Sequence, residues 1–173
     1  MEPSHIELNP VTFITIGTIG PPGQRTFYLQ ASQGRIQVSL IIEKEHAEAL
    51  ALALDRLLEH LGEPNPEEVK TILEAGMELL EPVEPAFRVG QLGLGYDAAG
   101  DLLVITALEL TEGDEAPSIA RFWGTRAQMR ALSAHAVKVC AAGRPRCVLC
   151  GRPIDPQGHF CPRRNGHQRG MRL

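Results

Sequence analysis

Glu43-Lys-Glu-His-Ala-Glu-Ala-Leu-Ala-Leu-Ala-Leu-Asp-Arg-Leu-Leu-Glu-His-Leu61 is the stretch at which this chain changes period. Leu50, Leu54, Leu57, Leu58 and Leu61 fall at i, i+4, i+7, i+8 and i+11, one apolar stripe along an amphipathic helix. Gly62 stops it. Upstream the chain reads in twos. Val11 to Ile19 is rich in β-branched residues and ends at Gly20-Pro21-Pro22-Gly23, which is strong turn chemistry. Arg25 to Ala31 makes a second strand, Gln33-Gly34 a tight reversal, and Arg35 to Ile42 alternates into a third. Residues 1 to 9 are polar and expected to fray.

Downstream, Asn65-Pro66-Glu67-Glu68 sets a cap residue, Pro at the first helical position and acids in the first turn, so a second helix starts there. Val69, Ile72, Leu73, Met77 and Leu80 are expected on its buried side, with Pro82 closing it. After a Pro82 to Pro85 connector the strand pattern returns, in Phe87 to Leu94, Leu102 to Leu110 and Ile119 to Trp123. A helix then runs from Thr125, whose Thr-x-x-Gln128 spacing is a capping box, to Gly143. The pattern is strand-strand-strand-helix twice, with one more helix between. It predicts an α+β fold with an antiparallel sheet or sheets, in a body of residues 10–142 with halves 10–81 and 86–142.

Residues 143–173 read differently. Cys147-Val-Leu-Cys150-Gly151 and Gly158-His159-Phe-Cys161-Pro162 form two thiolate-bearing turns, a spacing suited to tetrahedral Zn²⁺. Cys147, Cys150 and Cys161 supply three ligands. His159 in the turn of Cys161 is the preferred fourth, with His167 as the alternative and Cys140 more remote. The expectation is a small C-terminal zinc knuckle with a closed, structural site. No catalytic constellation is legible: Leu92-Gly-Leu-Gly95 lacks a third Gly and a following helix, so it is not a dinucleotide fingerprint.

Charge divides the same way. From Gly143 onward seven arginines face one acid, a balance of +6, while the remaining 10 basic and 20 acidic residues give −10. A basic segment carrying Arg144, Arg146, Arg152, Arg163 and Arg164 has the charge to bind nucleic acid, though Phe160 is its one aromatic for stacking. Docking onto an acidic surface, of this chain or another, is the other use of that charge. Nothing resembles a signal peptide and no apolar run is long enough to span a bilayer, so a cytoplasmic location is expected.

Three segments carry a family resemblance: Gly23-Gln-Arg-Thr-Phe-Tyr-Leu-Gln-Ala31, Phe87-Arg-Val-Gly-Gln-Leu-Gly-Leu-Gly-Tyr-Asp97, and residues 142–167 around the cysteine turns. Together they are similar to the bacterial family known as domain of unknown function 3090, over about Thr12 to His167. The resemblance implies that Cys147, Cys150, His159 and Cys161 belong to the family pattern, and it supplies no activity. The resulting expectation is a cytoplasmic zinc-binding protein acting as an interaction or regulatory module with a structural zinc site. Two alternatives stand beside it. One is a nucleic-acid-binding module using the five arginines. The other is an enzyme acting on a phosphorylated small molecule in a groove of the body, near Arg25, Tyr28, Arg88, Tyr96 and Asp97.

Overall fold

The computed structural model describes residues 2–142. Residues 2–19 and 26–140 make up one compact unit, and the Gly20–Arg25 turn is grouped outside it. Within the described residues the elements are β1 (His5–Leu8), β2 (Phe13–Ile19), β3 (Thr26–Gln33), β4 (Ile36–Ile42), α1 (Lys44–Leu61), α2 (Pro66–Ala75), β5 (Pro85–Asp97), β6 (Leu102–Glu109), β7 (Ile119–Gly124) and α3 (Arg126–Ala141). The fold is α+β, as the alternation of periods predicts.

All the strands join one seven-stranded sheet in the order β1-β7-β6-β5-β4-β3-β2. It is mixed, which corrects the expectation of antiparallel pairing. Two meanders, β2-β3-β4 and β5-β6-β7, are antiparallel within themselves. They meet along a parallel pair, Leu40 beside Phe87 and Ile41 beside Arg88. Parallel neighbours need a long crossover, and α1 with α2 supplies it. A clear two-half repeat is not evident.

The second parallel pair is β1 on β7, with Leu8 beside Phe122 and only 1% exposed. The expectation of a frayed start at residues 1–9 is therefore corrected: Ile6 and Leu8 alternate as in a half-buried strand, but over four residues. The chain then passes directly from β1 to β2, at the opposite end of the strand order. Val11 donates its amide to Trp123 of β7 at 2.8 Å, and Thr12, the next residue, to Ser32 of β3 at 2.7 Å. Adjacent residues thus bond the ends of two strands far apart in the order, so the sheet coils until its margins meet.

The inner face of the sheet carries Ile14, Ile16, Leu29, Leu40, Phe87, Leu103, Ile105 and Phe122, which share one core with Leu50, Leu54 and Leu58 of α1 and Met129, Leu132 and Ala136 of α3. The α1 stripe is thus read correctly. Each large apolar side chain buried here contributes about 1.5–3 kcal/mol. His46 Nδ1 accepts the Glu43 amide at 3.0 Å and closes the first turn of α1. The Thr125 box is also present, Thr125 N–H to Gln128 Oε1 at 2.9 Å and Gln128 N–H to Thr125 Oγ1 at 3.1 Å.

α2 begins where its cap predicts, with Asn65 Oδ1 accepting from Glu67 N–H at 2.9 Å. It ends earlier than expected, at Ala75, with Gly76 at φ +107°. None of its residues is buried. Met77 and Leu80, expected on its apolar side, lie beyond it in an extended segment.

Candidate functional site

On a sheet with one face on a core, alternate residues point the other way and are ordinarily solvated. Thr15, Gln30 and Ser39 do point the other way. Pairing sets them in one cross-strand row, Thr15 opposite Gln30 and Gln30 opposite Ser39. Yet their exposures are 0%, 0% and 2%. The connector between α2 and β5 covers them, lying as a strap over the outer face of β2, β3 and β4.

The strap is held by its main chain. Leu80 N–H donates to Gln30 Oε1 at 2.7 Å, and Gln30 Nε2 donates back to the Leu80 carbonyl at 2.9 Å. That mutual exchange is the pattern of a hydrogen-bonded pair in an antiparallel ladder, with a side-chain amide standing in for a strand. The other Nε2 proton of Gln30 goes to Ser39 Oγ at 3.0 Å, so both donors of the buried amide are used. Thr15 Oγ1 donates to the Met77 carbonyl at 2.5 Å, and Gln37 Nε2 to the carbonyls of Pro82 at 2.9 Å and Leu80 at 3.2 Å. Among the described residues no main-chain bond joins the strap to these strands.

Two strap side chains turn toward the sheet. Met77 is 5% exposed. Leu79 lies on Gly17, where an added Cβ would sit 2.5 Å from Leu79 Cγ. Glu78, Leu80 and Glu81 face outward. At the margin of the sheet, His135 of α3 hydrogen-bonds the Ile16 backbone. Burial and, less strongly, Lys138 push its pKa below the ordinary histidine value, against the opposing pull of Glu78 and of the Ile16 bond. These groups are amides, hydroxyls and an imidazole, and the chemistry they offer is hydrogen bonding to a polypeptide backbone.

A second polar cluster lies between α1 and α3. Arg126 donates to the Leu61 and Gly62 carbonyls at 2.9 and 3.1 Å, closing the C-terminus of α1 with a cation, and to Asp101 at 2.9 Å. Bonds from Tyr96 and Arg126 hold the Asp101 carboxyl below its usual range, and the Asp101 bond raises Arg126. Arg130 pairs with Asp55 and Glu63, and Ser133 Oγ bonds Asp55. Asp101 and Arg126, held in their charged forms, are poor proton carriers, and this cluster ties helices together.

The residues considered for a groove do not converge. Arg88 is on the outer face of β5 and pairs with Glu43 at 3.0 Å. Tyr96 is on the opposite face of that strand, beside Leu103, and donates to Asp101 at 2.8 Å. Asp97 accepts the Ala99 amide at 3.1 Å in the following turn. Tyr28 stands between Gly17 and Ile41 in the sheet, and Arg25 falls in the turn grouped outside this unit. His60 is exposed in the last turn of α1.

The zinc expectation is corrected. Among the described residues no group of three or more His, Cys, Asp or Glu side chains is placed to hold a metal ion. Cys147, Cys150, His159 and Cys161, with the alternative His167 and the five arginines, lie outside the described residues. Cys140 is buried in α3. No support for zinc as cofactor, for a knuckle or for a metal-based role is found, and those readings are set aside. Among the described residues no helix is long and apolar enough to cross a membrane.

Sequence reasoning passed over Thr15, Gln30, Gln37 and Ser39, because polar residues at alternate strand positions read as solvated. Together, the mixed seven-stranded sheet and its main-chain-bonded strap define an α+β protein with a polypeptide segment held across one sheet face. The chain belongs to the family described as "Protein of unknown function (DUF3090)", whose model matches residues 6–161. No curated protein and no solved structure matches it.

Proposed function

We propose that the outer face of β2, β3 and β4 is a binding surface for an extended polypeptide segment, and that this protein works by holding such a segment in the cytoplasm. The surface belongs to the body of residues 10–142, with the basic residues 143–173 as a separate part. The observation that carries the reading is Gln30. A fully buried glutamine, its amide exchanging both hydrogen bonds with the main-chain N–H and carbonyl of one residue, is built to recognise main chain, as strand addition does elsewhere. Thr15 and Gln37 extend the same contact over Met77 to Pro82. Selectivity comes from Gly17, whose missing side chain makes room for an apolar residue at the position of Leu79.

The test is reconstitution. Residues 77–82 are replaced by a Gly/Ser stretch of equal length, and a synthetic peptide of residues 76–85 is titrated in by calorimetry. Saturable one-to-one binding is expected, and its loss on adding Gln30→Leu. A folded replacement variant, by circular dichroism, that takes up no peptide overturns the reading. Should the variant not fold, the same peptide is titrated into full-length Leu79→Gly, where absence of binding has the same meaning.

A further inference from the structure

The surface is occupied by its own chain, and the way that occupant is attached points to regulation. This inference rests on the reading of the β2-β3-β4 face as a segment-binding surface. Upstream, the chain is fixed at Glu63 by Arg130. Downstream, it is fixed again at Met77 by Thr15. Between these points α2 buries none of its residues. Its side-chain bonds are local ones, Asn65 to Glu67, Thr71 to Glu67 and Lys70 to Glu74. The strap itself reaches the sheet through side-chain bonds, so lifting it unpairs no strand.

We infer that the Met77–Pro82 strap is an internal competitor, which lifts off with α2 as one local unit and yields the face to a partner segment of apolar-x-apolar pattern with a proline three residues further on. That pattern is the strap's own. Met77 and Leu79 face the sheet, Leu80 presents its N–H and carbonyl to Gln30, and the Pro82 carbonyl meets Gln37. A partner with the same main-chain course finds the same donors and acceptors. Its apparent affinity is reduced by the fraction of molecules in which the strap is closed, so weakening the strap strengthens binding in trans. The anchors differ in what they serve: Leu79 belongs to the competitor alone, Gln30 to the surface itself.

Two measurements on the full chain test this. In native-state hydrogen exchange, the Leu80 amide is expected to open with the amides of α2, at least ten-fold faster than those of Leu29 and Gln30 in β3. Leu80 exchange no faster than β3 overturns the inference. In the second, a fluorescent peptide of residues 76–85 binds full-length Leu79→Gly at least ten-fold more tightly than wild type. Equal affinity, alongside tight binding by the strap-replaced variant, overturns self-competition while leaving the surface intact. Failure of every variant to bind the peptide removes the surface and this inference with it.

Discussion

The outer faces of the two meanders follow the same alternating pattern and end in opposite conditions. On β2-β3-β4 the outward row of Thr15, Gln30 and Ser39 is sealed from water and bonded to the strap. On β5-β6-β7 the outward row is exposed at Gly93 and half-buried at Thr106 and Arg121, nowhere sealed, and an added Cβ at Gly93 or Gly95 meets nothing within 4 Å. Strand pattern decides which way a side chain points. Whether that side is wet or dry is decided by a connector far away in sequence, and the cost of substitution follows from the second fact.

The sharpest contrast comes from Gln30→Ala, which leaves the Leu80 amide and carbonyl without their partner and opens a gap beneath the strap. A loss of about 3 kcal/mol is expected, within the range for orphaned buried polar groups plus lost packing. Urea unfolding measures it, and a loss no larger than that of Thr106→Ala on the open face breaks the comparison. Gly17→Val comes next, since its side chain must displace Leu79 from the sheet. The expected cost is about 2 kcal/mol, typical of overpacking, with the Leu80 amide exchanging faster.

A smaller effect concerns acid. His135 has its pKa lowered in the folded protein, chiefly by burial, so the unfolded chain takes up the proton first as pH falls. The neutral ring's advantage is complete above the ordinary histidine value and is lost progressively from there down to the lowered one. His135→Gln is expected to flatten stability against pH in that window. A profile as steep as wild type assigns the slope to other groups, although Asp101 itself acts only below the usual carboxylate range. The smallest change belongs to the open face. Gly93→Thr gains strand propensity opposite Thr106 without meeting an obstacle, and is expected to stabilise by about 0.5 kcal/mol, read as a slightly higher Tm.

These contrasts also mark how far the sequence could be read. The α1 stripe, the Asn65 cap, the Thr125 box and six of the strands rest on local pattern, and the structure contains them. The spacing carries α2 too far because Met77 and Leu80 continue a helical period across Gly76, which ends the helix through a backbone angle that glycine adopts readily. β1 is not legible because four residues hold too little periodicity. Mixed pairing depends on crossover geometry, which local pattern does not carry. The strapped face is least legible: Gln30 and Leu80 are 50 residues apart, and neither announces the other.

The joining of the sheet's two margins by the Val11–Thr12 step has a consequence for how the protein is made. His5 pairs with Ile119, so β1 leaves the ribosome well before the strand it pairs with. At roughly 5–20 residues per second, the intervening chain takes on the order of ten seconds to synthesise. Until then one flank of the nascent sheet stands unpaired, and the coil closes only once β7 has emerged.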